Sequence, residues 1–163
     1  MFSNSSNLFE ATISDQTLGT LVGLTYKENH LLTELNDEAR KIAPHLARAL
    51  TARIRQLTGS YQTLTMSNTE IQLYLQNWFL QLFESRESSC LPLSGPFPRL
   101  NQIVLLTGID VILTYSHEIT KYSPNPEEAG EAFHKALAVQ IASEQLQSQT
   151  DTAQHLYDMM LLD

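Results

Sequence analysis

Residues 67–83, Ser-Asn-Thr-Glu-Ile-Gln-Leu-Tyr-Leu-Gln-Asn-Trp-Phe-Leu-Gln-Leu-Phe, carry the strongest structural pattern in this chain of 163 residues. Ser67 followed by Glu70 is a capping box, which marks the first turn of an α-helix. Apolar side chains then recur at the i, i+3, i+4, i+7 spacing that places them on one helical face. The segment therefore predicts a helix whose broad apolar face belongs to a core, formed by Ile71, Leu75, Trp78, Phe79, Leu82 and Phe83.

Helix signals also precede this segment. Ser14 can cap a short helix near residues 15–22, and residues 1–13 are expected to form a flexible tail. Thr25 with Glu28 repeats the capping-box pattern and predicts a helix that carries Leu31, Leu32 and Leu35.

A further helix is predicted from Asn36, its expected N-cap, to about Gln56. Its apolar positions recur at helical spacing. Pro44 lies inside it and lacks the N–H that a helix interior needs, so we expect a kink or a break there.

Residues 84–98 follow the helix predicted at 67–83 and contain three prolines and a glycine, which predicts a loop. This loop holds Cys90, interpreted as a plain thiol. Pro98 is well placed as the first residue of the next helix, which should run to about Thr120. That helix is apolar nearly all round, and such helices lie in the centre of a domain or in an oligomer interface.

Asn125 and Pro126 predict the start of a last long helix, and a shorter tail from Leu156 to Leu162 follows it. A short turn near 122–126 joins it to the preceding helix, which predicts a long antiparallel helix pair. No convincing strand pair is visible. The sequence thus predicts an all-α fold of about six to eight helices, with a single domain at residues 14–163.

Composition limits the function. The net charge is −8, with 10 basic and 18 acidic residues, so the chain lacks the excess of positive charge that binds nucleic acid or an anionic membrane surface. A single cysteine and the absence of a secretory pattern at the N-terminus favour the cytoplasm. We find no phosphate-binding glycine loop, no nucleophile elbow and no closely spaced carboxylate pair beside a histidine. The sequence therefore predicts a protein that is not an enzyme.

Three stretches resemble one known family. Residues 23–28 (Gly-Leu-Thr-Tyr-Lys-Glu), with the leucines after them and Pro44-His45-Leu46, look like the opening of bacterial sensor globins and protoglobins. Residues 75–83 are similar to the family's Trp-containing helix, and the last two helices fall in the family's order. The resemblance covers roughly residues 14–160 and implies a globin-like fold.

The haem ligand of that family is missing. Haem-binding members place their proximal histidine after the Trp helix, yet the chain has no histidine between His45 and His117. One alignment puts Val104 at the histidine position, and another deletes most of that helix into loop 84–98. An aliphatic side chain cannot coordinate iron. The chain is therefore similar to the haem-free members, which the family resemblance describes as regulators that bind an apolar ligand such as a fatty acid.

From this resemblance we expect a haem-free sensor or regulator with no cofactor beyond a possible fatty acid. Its homodimer would form through helices 99–120 and 126–148 and would signal to a separate regulatory protein. The expected ligand pocket is lined by Trp78, Phe79, Leu82, Phe83, Ile103, Val104 and Leu106.

Two alternatives stay open at this point: a haem protein that uses a non-standard ligand such as His117, and a ligand-free interaction module. The five histidines lack the spacing of a zinc site and are interpreted as solvated or structural. Asp110 and Glu118 should face solvent or a basic partner. Four arginines are candidates to bind a ligand carboxylate through two hydrogen bonds: Arg53, Arg55, Arg86 and Arg99.

Overall fold

The computed structural model describes residues 23–58, 66–84 and 98–162, with side chains described throughout except at 58, 98–103, 105, 106 and 143–152. All regular structure in these ranges is helical, which confirms the all-α prediction for them. The predicted tail at 1–13, the helix at 15–22 and Cys90 with most of its loop lie outside these ranges. Five helices are present: α1 (Tyr26–Glu34), α2 (Asn36–Thr58), α3 (Asn68–Gln81), α4 (Pro98–Thr120) and α5 (Pro126–Leu161).

Both predicted capping boxes are confirmed. The Glu28 backbone N–H donates to Thr25 Oγ1 over 3.1 Å, and the Thr25 N–H donates back to the Glu28 carboxylate over 3.3 Å. Ser67 and Glu70 repeat this exchange at the start of α3, at 3.2 and 3.0 Å. Each box satisfies backbone donors that a helix start leaves unpaired.

Helix α2 is the centre of the fold and packs most extensively against α3 and α4. It begins at Asn36, which is the first helical residue rather than the expected cap; its side-chain amide donates to the carbonyl of Phe83 over 3.3 Å. The helix continues through Pro44 to Thr58, so the expectation of a break is wrong. Packing explains this continuity, because one face of α2 is buried on either side of the proline at Ala39, Ala43, Leu46, Ala47, Leu50 and Ile54.

Helix α4 begins at Pro98 and ends at Thr120, as predicted. Its described part buries one face against the rest of the fold, at Val104, Gly108, Ile112, Ser116 and Ile119. Two apolar residues at one edge of this face are not buried in the centre of the domain: Ile109 and Leu113 are 37% and 36% exposed. The apolar outer positions of α4 are thus at the surface of this chain.

Helix α5 is a single helix of 36 residues, so the separate tail predicted at 156–162 is wrong. Its start matches the prediction, since Asn125 Oδ1 accepts the N–H of Glu128 over 3.4 Å and Pro126 occupies the first turn. The helix packs against α1 and α4. Among its described side chains, the buried ones lie between Ala129 and Gln140, whereas residues 153–162 are all exposed.

Candidate functional site

Three phenylalanine rings meet where α3 ends beside α5, and we call them the ring cluster: Phe79, Phe83 and Phe133. The centroids of Phe83 and Phe133 lie 5.6 Å apart in a stacked arrangement. Phe79 meets Phe83 edge-on at 5.4 Å and lies 6.2 Å from Phe133. All three side chains are fully buried. Such ring pairs add about 0.5–1.5 kcal/mol each beyond the burial of their area.

The described members of the expected pocket all belong to one core. Trp78, Phe79, Leu82 and Phe83 come from α3 and the two residues after it, and Val104 comes from α4. Each of the five is at most 1% exposed, within a single apolar cluster. The side chains of Ile103 and Leu106 lie outside the described part of the chain.

Phe133 is the member of the ring cluster that the sequence did not assign to the pocket. It lies in the first third of α5, on a buried face that it shares with Ala129, Ala132, Ala136 and Leu137. Its i, i+3, i+4, i+7 spacing marks it as a core position, but nothing in the sequence places it opposite Phe83.

An open depression of about 320 Å³ lies elsewhere, on the outer side of α3. Its lining shares no residue with the expected pocket and consists of Met66, Glu70, Leu73, Tyr74 and Asn77. This surface is distinct from the ring cluster and can be probed separately by substitution of Leu73, which is exposed.

The residues near the ring cluster do not fit haem. Val104, which one alignment places at the proximal position, is buried and aliphatic and offers no donor atom to iron. His117, the alternative ligand, is exposed on α4, as are His30, His45, His134 and His155 on their own elements. Among the described residues, no three His, Cys, Asp or Glu side chains come together as a metal site.

Two of the candidate arginines are engaged within the fold. Arg53 donates to the carbonyl of Thr107 over 3.0 Å and forms an ion pair with Asp110 at 3.1 Å. Arg55 donates to Asn68 Oδ1 over 2.8 Å and to the carbonyl of Met66. Both side chains therefore hold helices or turns together, which disfavours their predicted role as carboxylate clamps. Arg86 and the side chain of Arg99 lie outside the described residues.

Asp110 and Glu118 are exposed, as expected. The hydrogen bond from Arg53 lowers the pKa of Asp110 below its ordinary value. Glu118 pairs with Lys121 at 2.6 Å, and this hydrogen bond likewise lowers its pKa. Both carboxylates are thus ionised near neutral pH and act as surface ion-pair partners.

A more sheltered ion pair joins α1 to α5. Lys135 Nζ lies 3.0 Å from Glu28 Oε1 and 3.2 Å from the carbonyl oxygen of Gly23. Burial alone would raise the pKa of Glu28, but hydrogen bonds from Lys135 and Thr25 outweigh it and leave the pKa below its ordinary value. The same carboxylate caps α1, so a single side chain holds the start of α1 against α5.

No family model, curated protein or solved structure matches this chain. The helices in the described ranges include none with the length and apolar content needed to cross a bilayer. The family resemblance therefore stays an interpretation.

Proposed function

We propose that this chain is a haem-free, globin-like sensory protein whose ring cluster region binds an apolar, fatty-acid-like ligand. In this proposal α4 and α5 run antiparallel, form the surface of a homodimer, and pass the signal to a separate regulatory partner. The observation that carries it is the ring cluster: a wholly apolar site in the core, built by aromatic side chains from two helical regions.

The ring cluster suits an apolar ligand for a chemical reason. Phe79, Phe83 and Phe133 present only carbon and hydrogen, and Leu82 and Val104 belong to the same core. An acyl chain can be buried in such surroundings without a polar group losing its hydrogen-bond partner. Its burial contributes about 0.8 kcal/mol of binding free energy per CH₂.

Ligand entry would be coupled to the position of α5. The rings fill the site themselves, since Phe83 and Phe133 are stacked at 5.6 Å. An acyl chain that enters must displace at least one ring, and Phe133 belongs to α5. Ligand binding therefore favours a state in which α5 is shifted against the end of α3, and the two states differ in affinity for the ligand.

Palmitate and the single tryptophan provide the test. Trp78 is fully buried in the same apolar cluster, so its fluorescence reports events there without a second tryptophan. We expect saturable binding of palmitate with a change in Trp78 emission, and native mass spectrometry of the purified chain should reveal a co-purified lipid. A chain that neither carries a lipid nor binds palmitate would refute the proposal.

Two variants locate the ligand. Phe133→Leu removes ring volume that the ligand must otherwise displace, and it should strengthen palmitate binding by roughly tenfold, because less free energy is needed to open the site. The matched control is Leu73→Ser in the open depression on α3. If Leu73→Ser weakens binding and Phe133→Leu leaves it unchanged, the ligand occupies the outer depression and the ring-cluster site is wrong. A His117-dependent Soret band on titration with haemin would instead favour the haem alternative.

One observation favours a second candidate, the ligand-free interaction module. The end of α5 exposes a dense group of large apolar side chains, and contiguous apolar surface of this kind marks protein contacts. The module predicts assembly in the complete absence of lipid. Delipidated protein that assembles normally and never binds palmitate would favour it over the sensor.

A further inference from the structure

Residues 153–162, the last nine residues of α5 and its C-cap Leu162, form an exposed surface rich in apolar side chains. Helix α5 contains 36 residues, and residues 153–162 are exposed without exception. Six large apolar side chains crowd into this stretch, with exposures of 53–87%: Leu156, Tyr157, Met159, Met160, Leu161 and Leu162. Elsewhere in the described chain, exposed apolar side chains are scattered.

Five of these ten residues form a stripe, which we call the α5 end stripe: Ala153, Leu156, Tyr157, Met160 and Leu161. Their i, i+3, i+4, i+7, i+8 spacing places them on one helical face, the pattern of a helix that packs on another element. At one edge of the stripe, Gln154 donates to Asp158 over 2.9 Å. The polar groups thus pair with each other and leave the stripe apolar.

We propose that the α5 end stripe docks against the same stripe of a second copy of this chain, with the two helices antiparallel. This contact would replace the α4–α5 surface as the contact between two copies, and it leaves the ligand site of the proposed function unchanged. Three features of the helix point to a second copy: its area, its charge and the sizes of its side chains.

The area suffices for a symmetric pair. The four large side chains of the stripe are 55%, 59%, 77% and 67% exposed. If the range for aromatic side chains, roughly 150–250 Å² each, is taken as an upper limit for all four, they expose on the order of 500 Å² per copy, so two copies bury at most about 1,000 Å², the size at which specific interfaces begin. The stripe alone reaches this size only when a second apolar face of similar extent covers it.

Charge favours a second copy and sets the direction. Residues 153–162 include one carboxylate, Asp158, and no lysine or arginine, so two copies of this stretch meet with little charge repulsion. The acidic first turn of α5, with Glu127 and Glu128, would lie beside its copy in a parallel pair. An antiparallel pair centred near Leu156 places the two acidic turns tens of ångströms apart, well beyond the screening distance of about 8 Å at physiological salt.

Side-chain sizes agree with the antiparallel arrangement. A twofold axis between Leu156 and Tyr157 puts Ala153 opposite Met160 of the second copy and Leu156 opposite its Tyr157. The smallest residue of the stripe then faces a long, flexible one, which is how two helical faces interdigitate without voids. In a symmetric interface each such contact occurs twice.

Light scattering coupled to size exclusion, followed by sedimentation, tests the contact on the 163-residue chain. We expect a dimer at micromolar concentration and a dissociation constant at least about 100-fold weaker in Leu156→Glu/Met160→Glu, because pairing would bury unpaired charges. Leu73→Glu, at another exposed leucine, is the matched control and should leave the dimer intact. Both substituted surfaces are exposed, and circular dichroism confirms that each variant keeps its helices.

Other outcomes overturn the proposal. A monomeric parent chain, or a dimer that survives Leu156→Glu/Met160→Glu, would show that the stripe does not pair. If Ile109→Glu/Leu113→Glu alone abolishes the dimer, the contact lies on α4, and the proposed function stands without this inference. In a Cys90→Ser background, Ala153→Cys mixed with Met160→Cys should form a disulfide on mild oxidation; a disulfide between two Ala153→Cys chains would instead show a parallel pair.

Discussion

Gly108 on α4 lies directly against the side chain of Leu50 on α2, and there is no room between them for a methyl group. A β-carbon at Gly108 would overlap Cδ2 of Leu50, and Leu50 is itself fully buried. The close approach of these two helices therefore depends on a residue without a side chain.

Gly108→Ala should destabilise the chain by about 1 kcal/mol, because the strain of an overpacked core outweighs the better helix propensity of alanine. Gly130→Ala on α5 is the matched control, since nothing lies within 4 Å of the β-carbon there; it should stabilise by about 0.5–1 kcal/mol. Urea unfolding measures both. The overlap with Leu50 predicts that Gly108→Ala is less harmful in a Leu50→Val background, and equal effects in both backgrounds would contradict it.

The ion pair between Glu28 and Lys135 makes stability depend on pH. Glu28→Gln keeps a residue that can close the capping box but removes the charge that Lys135 binds. We expect a loss of about 1 kcal/mol at pH 7, the scale of a hydrogen bond to a partly buried charge. The control is Glu70→Gln in the equivalent box of α3, since Glu70 is exposed and forms no ion pair with a described residue, and its effect should be smaller.

The sign of this pH dependence follows from the lowered pKa of Glu28. The carboxylate holds its proton less tightly in the folded chain, so its contribution is present above the ordinary pKa of 4.5 and is lost as pH falls below that value. The difference in unfolding free energy between the parent chain and Glu28→Gln should therefore shrink in acid. A difference that is constant from pH 7 to acid would show that the charge is not what stabilises the contact.

The stacked pair of Phe83 and Phe133 should also contribute to the stability of the ligand-free chain. Phe133→Leu keeps an apolar side chain but loses the ring contacts, and we expect a loss of about 1–3 kcal/mol. Tyr122→Leu, at an aromatic residue that is 60% exposed, should change stability by less than about 0.5 kcal/mol. Similar effects of the two substitutions on the urea midpoint would argue against a tightly packed ring cluster.

Local signals predicted the helix starts well. The boxes at Thr25 and Ser67, and Asn125 with Pro126, act through hydrogen bonds between residues three apart in sequence, so they need no knowledge of the fold. The apolar face of α3 was equally readable, because a period of 3.6 residues defines it. The four α3-region residues of the expected pocket are buried together for this reason.

Contacts between distant residues were not predictable in the same way. Nothing near Phe133 indicates that it stacks on Phe83, and nothing near Arg53 indicates its pairing with Asp110, because both contacts depend on how whole helices are placed. The same holds for α5, where the sequence predicted a separate tail at 156–162 but the backbone continues as one helix to Leu161. Each of these differences arises from tertiary contacts or from chain continuity, which local patterns do not encode.

Pro44 is the sharpest conflict between local preference and the fold, and it leads to the last prediction. A proline inside a helix removes one backbone hydrogen bond and crowds the carbonyl four residues earlier, at about 3 kcal/mol or more. Helix α2 nevertheless continues through it, held by buried neighbours such as Ala43 and Ala47.

Pro44→Ala should therefore stabilise the chain by about 1–2 kcal/mol. The gain is smaller than the cost of the proline because alanine also makes the unfolded chain more flexible, which lowers the free energy of unfolding. Pro126→Ala is the control, because Pro126 occupies the first turn of α5, where no backbone bond is lost, and it should bring no gain. Urea unfolding distinguishes the two, and a Pro44→Ala chain that is less stable than the parent would show that the packing of α2 requires the proline's own shape.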